Sequence, residues 1–107
     1  MAEKKKVEFL GDSLEAIKNF PADAKRDAGY QIGKVQDGLM PDDFKAMRIV
    51  GKGVIEIRIT DTDGAFRVFY VASRGDKVYI LHGFQKKTQK TAKGDIEKGQ
   101  QRYKLIP

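Results

Sequence analysis

Phosphate binding is the chemistry for which this sequence is best equipped. Residues 83–91 leave an apolar strand and at once present Lys86, Lys87 and Lys90 together with hydroxyl and amide donors. This composition is typical of a segment that grips phosphates at the edge of a sheet, and we extend the candidate binding set to Gln85 and Lys93. A solvated basic loop that leads into a helix is the alternative interpretation.

A second candidate site lies on the hairpin before this segment. Residues 54–60 alternate between apolar and polar types, so Glu56 and Arg58 project from one face of a strand. Residues 61–64 form a turn, and Arg67 follows on the next strand. If pairing brings Arg67 beside Arg58, two guanidinium groups and one carboxylate share a surface, which is costly unless the charges are paired or used. Ordinary cross-strand ion pairing on a wet face is the alternative.

The remaining chemistry-bearing residues form no familiar catalytic set. His82, the one histidine, falls by alternation among Val78, Ile80 and Phe84, which favours a packed side chain over a catalytic one. With one histidine and no cysteine, a catalytic zinc site is not expected, and neither is a disulfide or a cysteine nucleophile. The turn at residues 61–64 is too short for a calcium loop. We therefore expect no metal and no small-molecule cofactor.

The elements that must position these residues follow from periodicity. A strand at residues 5–10 precedes a helix for which Asp12 and Glu15 form a capping-box pattern. A second helix runs from Pro21 to about Leu39. Gly29 and Gly33 lie on one face of it, which is expected to pack closely against the first helix or the sheet. Strands are predicted at residues 46–50, 54–60, 65–72 and 78–84, followed by a basic helix over residues 91–105 that has a thin apolar stripe. The sequence thus predicts an α+β fold: a strand and a helical hairpin packed on a three- to four-stranded antiparallel sheet, with a basic C-terminal helix.

Length and charge set the class of protein. The 107 residues suit one domain spanning 1–107, with its core at about 7–105. Of the formal net charge of +6, residues 85–107 contribute +5, because they carry seven lysines and arginines against two acidic residues. Such a concentrated field favours nucleic acid or an acidic partner protein. No apolar run is long enough to span a bilayer and no signal core is present, so a cytoplasmic protein without a membrane partner is expected.

Three ordered motifs resemble a known family. They are residues 53–58 (Gly-Val-Ile-Glu-Ile-Arg), residues 66–72 (Phe-Arg-Val-Phe-Tyr-Val-Ala) and residues 81–91 (Leu-His-Gly-Phe-Gln-Lys-Lys-Thr-Gln-Lys-Thr). Together with Phe9–Leu14 and Phe20-Pro21, they resemble the phage-derived Gp49/HigB-like branch of the RelE/ParE toxins. The resemblance covers roughly residues 7–105. It implies a compact fold with a helical hairpin on a twisted antiparallel sheet, in agreement with the element order above.

The resemblance also implies an activity and partners. Such a chain would be the toxin of a type II toxin–antitoxin pair, with a cognate antitoxin of helix-turn-helix type, and would cleave mRNA on the ribosome by metal-independent attack of a ribose 2′-OH on the adjacent phosphate. The family's strand arginine corresponds to Arg67, with Arg58 assisting and Glu56 as the acid/base carboxylate; the basic segment would hold RNA. His82 and Tyr103 are weaker candidates. The alternatives are a ParE-like DNA gyrase inhibitor and a non-toxic phage-derived regulatory protein.

Overall fold

The computed structural model describes residues 4–107 and contains five strands and three helices in them. In chain order these are β1 (Lys6–Phe9), α1 (Ser13–Lys18), α2 (Ala22–Gln36), β2 (Phe44–Ala46), β3 (Val54–Asp61), β4 (Gly64–Val71), β5 (Lys77–Lys86) and α3 (Lys93–Tyr103). The α+β class, the helical hairpin and the C-terminal helix are confirmed.

All the strands belong to one mixed sheet, in the order β1-β5-β4-β3-β2. β1 pairs with β5 in parallel, and the other pairings are antiparallel. The predicted antiparallel strands are present as β2 to β5, and the sheet has a fifth strand because the N-terminal strand joins it in parallel beside β5 instead of lying apart. β5 lies inside the sheet with both faces covered, which explains why its sequence is apolar on both sides.

Two hydrophobic cores lie on opposite faces of the sheet. Helices α1 and α2 cover one face, where Ala24, Ala28 and Ile32 pack against the isoleucines of β3. Helix α3 covers part of the other face, where Ile96 and Tyr103 pack against a core that includes Phe69 and Phe84. Because side chains of a strand alternate between faces, Glu56, Arg58 and Arg67 fall on the side of α3.

Several local predictions were wrong. Residues 47–50 form a turn instead of a strand, and β2 ends at Ala46. Helix α2 ends at Gln36 instead of Leu39, because Gly38 adopts a left-handed φ of 83°. The Gly38 N–H donates to the Val35 carbonyl oxygen and the Leu39 N–H to the Lys34 carbonyl oxygen, which closes the helix end. The helix face that carries Gly29 and Gly33 does not pack closely against another described element, since an added Cβ would meet no atom within 4 Å at either position.

The predicted capping box at the start of α1 is also absent. The Asp12 side chain makes no cap hydrogen bond. Its carboxylate instead pairs with the Arg102 guanidinium of α3 at 2.6 Å, and Arg102 donates a second bond to the Leu81 carbonyl oxygen. Arg102 passes directly beneath Gly11, where a Cβ would lie 2.3 Å from its Nε. This contact ties α3 to the start of α1, a long-range pairing that local spacing does not predict.

Candidate functional site

The hairpin β3–β4 brings together the three residues proposed for chemistry. Arg58 and Arg67 are direct cross-strand partners, which is the pairing on which the predicted charged surface was conditional, and Glu56 lies opposite Phe69. All three side chains are on the α3 face of the sheet. Glu56 and Arg67 are buried there, whereas Arg58 is exposed to solvent.

Glu56 and Arg67 form a buried ion pair. The Arg67 Nε lies 3.6 Å from Glu56 Oε1, which is too long for a good hydrogen bond, and Nε has no other partner. The Arg67 Nη1 donates to the Phe66 carbonyl oxygen at 2.9 Å. Burial lowers the pKa of Arg67, the nearby Glu56 carboxylate opposes that shift, and the neighbouring Arg58 adds to it. An arginine stays charged under such a shift, so Arg67 holds a fixed positive charge under the carboxylate.

A cavity of about 250 Å³ opens over Glu56. Four cationic side chains line it: Lys45, Arg58, Lys86 and Lys90. Thr91 also lines it and donates its hydroxyl to Glu56 Oε2 at 3.2 Å. The arrangement is a buried carboxylate, paired with Arg67 and hydrogen-bonded by Thr91, with four cationic side chains lining the cavity over it. It can bind an anion at the rim and exchange a proton at the floor.

The basic segment, residues 85–93, is divided between two cavities. A second cavity of about 170 Å³ lies between the end of β5 and the start of α3, lined in part by Gln85, Lys86 and Lys87. Lys86 lines both cavities and so forms their common wall. Gln85 donates its side-chain amide to the Asp63 carbonyl oxygen at 3.0 Å. Lys93 lies outside both linings, where its exposed ammonium is 3.9 Å from Glu97.

His82 lies on the α3 face, not with Val78 and Ile80 on the other face as alternation predicted. The register of β4 with β5 shifts between Phe69 and Tyr70, so Leu81 is the extra residue of a bulge and the following residues change face. The buried ring stacks on Phe84 at 5.0 Å.

A hydrogen bond joins His82 to helix α3. Its Nε2 lies 2.7 Å from Asp95 Oδ1, while Nδ1 is buried without a partner. Burial lowers the pKa of His82, and the bond to Asp95 opposes that shift. The geometry matches the packed histidine favoured by the sequence.

Tyr103 lies at the C-terminal end of α3, and its hydroxyl group makes two hydrogen bonds. It donates to the Lys52 carbonyl oxygen at 2.8 Å and accepts from Arg74 at 2.9 Å. The ring covers Gly51, where a Cβ would be 2.5 Å from it. These contacts describe a residue that holds α3 against the turn after Val50.

Sequence reasoning missed three polar residues around the two cavities: Lys45, Thr91 and Asp95. Lys45 is the cross-strand partner of Glu56, but the strand predicted at residues 46–50 began one residue too late to include it. Thr91 and Asp95 belong to the basic segment and to the helix after it, where no periodic signal relates them to β3 or β5. Among residues 4–107 no group of three or more histidine and acidic side chains is placed to hold a metal ion.

No helix within the described part of the chain is long and apolar enough to cross a membrane. No curated protein matches the sequence. One family model does match, described as "Phage derived protein Gp49-like (DUF891)", over residues 15–104. That span contains α2, α3, all but the first two residues of α1, β2 to β5 and every residue of the two cavities. The chain therefore belongs to the Gp49-like family of phage-derived proteins, a family associated with toxin–antitoxin systems.

Proposed function

We propose that this protein is a toxin of the RelE/ParE superfamily that cuts messenger RNA on the ribosome. The observation that carries the proposal is the cavity over Glu56: a buried carboxylate at its floor, with Lys45, Arg58, Lys86 and Lys90 around it. A carboxylate can move a proton, and a ring of cations can stabilise a phosphate that gains charge. The association of the family with toxin endonucleases supports the same assignment.

The proposed reaction is attack by a ribose 2′-OH on the adjacent phosphorus. Glu56 takes the 2′-OH proton as the new P–O bond forms. The bond from phosphorus to the 5′-oxygen then breaks, and an ammonium group at the rim, Lys86 or Lys90, gives the leaving oxygen a proton. The products are a 2′,3′-cyclic phosphate and a 5′-hydroxyl end. Arg58 and the remaining lysines stabilise the phosphorane between these steps.

Arg67 takes a different role from the one that the resemblance implied. Its guanidinium is buried beneath Glu56 and does not line the cavity, so a phosphate in the cavity meets Arg58 first. We propose that Arg67 is a positioning residue, which compensates the buried charge of Glu56 from 3.6 Å away. Thr91 donates a hydrogen bond to Oε2 at 3.2 Å, and the two contacts together orient the carboxylate before RNA binds.

The partners follow from the family and from charge. A toxin–antitoxin association implies a cognate antitoxin, and we propose one of helix-turn-helix type that keeps the toxin inactive. The excess positive charge of residues 85–107 would hold mRNA and ribosomal RNA phosphates, and exposed lysines suit this role because it requires charge more than exact geometry.

The test is induced expression, followed by mapping of new 5′ ends on cellular mRNA. Wild-type protein is expected to arrest growth and to produce new ends within coding regions. Arg58→Ala should abolish those ends, whereas Arg26→Ala, a change to an exposed arginine on α2, should retain them. Growth arrest with intact mRNA and broken DNA would instead indicate a gyrase inhibitor. Unaffected growth would indicate a non-toxic regulatory protein.

A further inference from the structure

We propose that the 170 Å³ cavity between β5 and α3 binds a nucleobase and favours bases that carry an exocyclic amino group. The inference deepens the proposed function, since it names what the RNA-cutting site would read beside the phosphate. Three features of the cavity carry it: an apolar wall, a fixed carboxylate and a shared lysine.

The apolar wall suits a flat, weakly hydrated ring. Phe84 and Ala92 line the cavity, and Phe84 is held rigidly because His82 stacks on it at 5.0 Å and Phe69 meets it edge-on at 5.2 Å. A lysine-rich surface that binds only phosphate has no need of such a wall. Protein sites for single-stranded nucleic acid commonly combine aromatic surface for the base with cations for the backbone.

The carboxylate of Asp95 supplies a hydrogen-bond acceptor in the same cavity. Its Oδ1 is bound to the buried His82 at 2.7 Å, which fixes the side chain and leaves Oδ2 for another donor. A carboxylate oxygen accepts from an amino group of cytosine, adenine or guanine. Uracil has no amino group, and its one base donor in reach, N3–H, lies between two carbonyl oxygens that the carboxylate would repel.

Lys86 links this cavity to the candidate catalytic one, because its side chain lines both. A phosphate held by Lys86 would therefore have its base on one side and the Glu56 carboxylate on the other. Lys87 also lines the base cavity and can hold a neighbouring phosphate. A short single-stranded segment of RNA bound across Lys86 would therefore enter both cavities.

The experiment is a titration of the isotope-labelled protein, followed by amide NMR. The ligands are cytidine, guanosine, adenosine and uridine 5′-monophosphates, with ribose 5-phosphate as the control that has no base. The amino-bearing nucleotides should shift the amides of Phe84, Ala92 and Asp95. Ribose 5-phosphate should shift only the lysine segment, which separates base binding from phosphate binding.

Asp95→Asn provides the matched variant, since asparagine keeps a carbonyl oxygen for His82 while losing the charge. It should weaken binding of cytidine monophosphate about tenfold, the scale of one good base contact, and leave ribose 5-phosphate unchanged. Glu97→Gln, an exposed acidic residue of the same helix, should have no effect on either ligand.

Equal affinity and equal shifts for uridine monophosphate, cytidine monophosphate and ribose 5-phosphate would overturn the inference. So would the absence of any shift at Phe84, Ala92 and Asp95. Neither readout requires RNA cleavage. Base discrimination by a protein that cuts no mRNA would refute the proposed function alone, and cleavage without base discrimination would refute this inference alone.

Discussion

Two glycines of helix α3 face different surroundings, and alanine at each should have opposite effects. An alanine Cβ at Gly99 would lie 2.8 Å from Val50 Cγ1 and 2.9 Å from Phe69 Cδ2, whereas at Gly94 it would meet no atom within 4 Å. Carbon atoms pack best at about 3.5–4.0 Å, so Gly99→Ala must lift the helix from the sheet by roughly 1 Å. Phe69 is fully buried in a central strand and cannot give way.

The magnitudes follow from these contacts. Either alanine should gain about 1 kcal/mol of helix propensity, which for Gly94→Ala is the whole effect and raises the free energy of unfolding. Gly99→Ala carries in addition an overpacking cost of about 1–3 kcal/mol. The two variants should therefore differ by about 2 kcal/mol, which corresponds to about 10 °C in Tm for a chain of this size.

Thermal unfolding followed by circular dichroism measures this difference. Hydrogen exchange of residues 93–103 adds a local readout, because a helix lifted from the sheet should lose amide protection there. Equal Tm changes for the two variants, or higher protection in Gly99→Ala, would refute the close packing of α3. The result bears on function because α3 begins just after Thr91 and carries Asp95. The position of α3 on the sheet therefore sets the geometry of both cavities.

Three further predictions concern the Asp12–Arg102 ion pair, the packing of α1 on β5 and the side chain of Lys86. Arg102 holds the pKa of Asp12 below its usual value, so this pair stabilises the fold above about pH 4 and the contribution is lost as pH falls through the lowered pKa. Asp12→Asn should cost at most about 1 kcal/mol near pH 7, since Asp12 is largely exposed, and urea unfolding near pH 2 should show no difference from wild type. Gly83→Ala places a Cβ 2.7 Å from Ile17 Cγ1 and should lower the free energy of unfolding by about 1–3 kcal/mol; an unchanged urea midpoint would contradict the packing of α1 on β5. Lys86→Ala should reduce the slope of log affinity against log salt for single-stranded RNA by about 0.7, and an unchanged slope would mean that Lys86 contacts no phosphate.

The spacing of residue types within single elements predicted the features of the fold that depend on neighbouring residues. The alternation of residues 54–60 and the turn at residues 61–64 predicted the hairpin and raised the pairing of Arg58 with Arg67 as one outcome, which the register of β3 with β4 shows. The face of α2 that carries Ala24, Ala28 and Ile32 is buried as its spacing predicted. These predictions succeeded because each depends on residues a few positions apart.

The predictions that failed concern features that depend on contacts between distant segments. The bulge at Leu81 moves His82 to the other face of the sheet, and the nearby Gly83, a residue type common at bulges, does not fix which residue is inserted. Asp12 is the N-cap residue of α1, but its side chain pairs with Arg102, 90 residues away along the chain, instead of capping the helix. The burial of Arg67 could not be predicted either, because it depends on how the segment before α3 folds over Glu56.

The rate of RNA cleavage by Glu56→Gln tests the central claim most directly, with Glu97→Gln as the matched control on exposed surface. Glutamine keeps the shape of the side chain but cannot take a proton from a ribose 2′-OH. Both variants are compared with wild type on ribosome-bound mRNA at a temperature where circular dichroism shows all three folded. Glu56→Gln should cut at least about 100-fold more slowly, the usual scale for loss of a general base, and Glu97→Gln should match wild type. A wild-type rate in Glu56→Gln would contradict the assignment of this cavity as the site of chemistry.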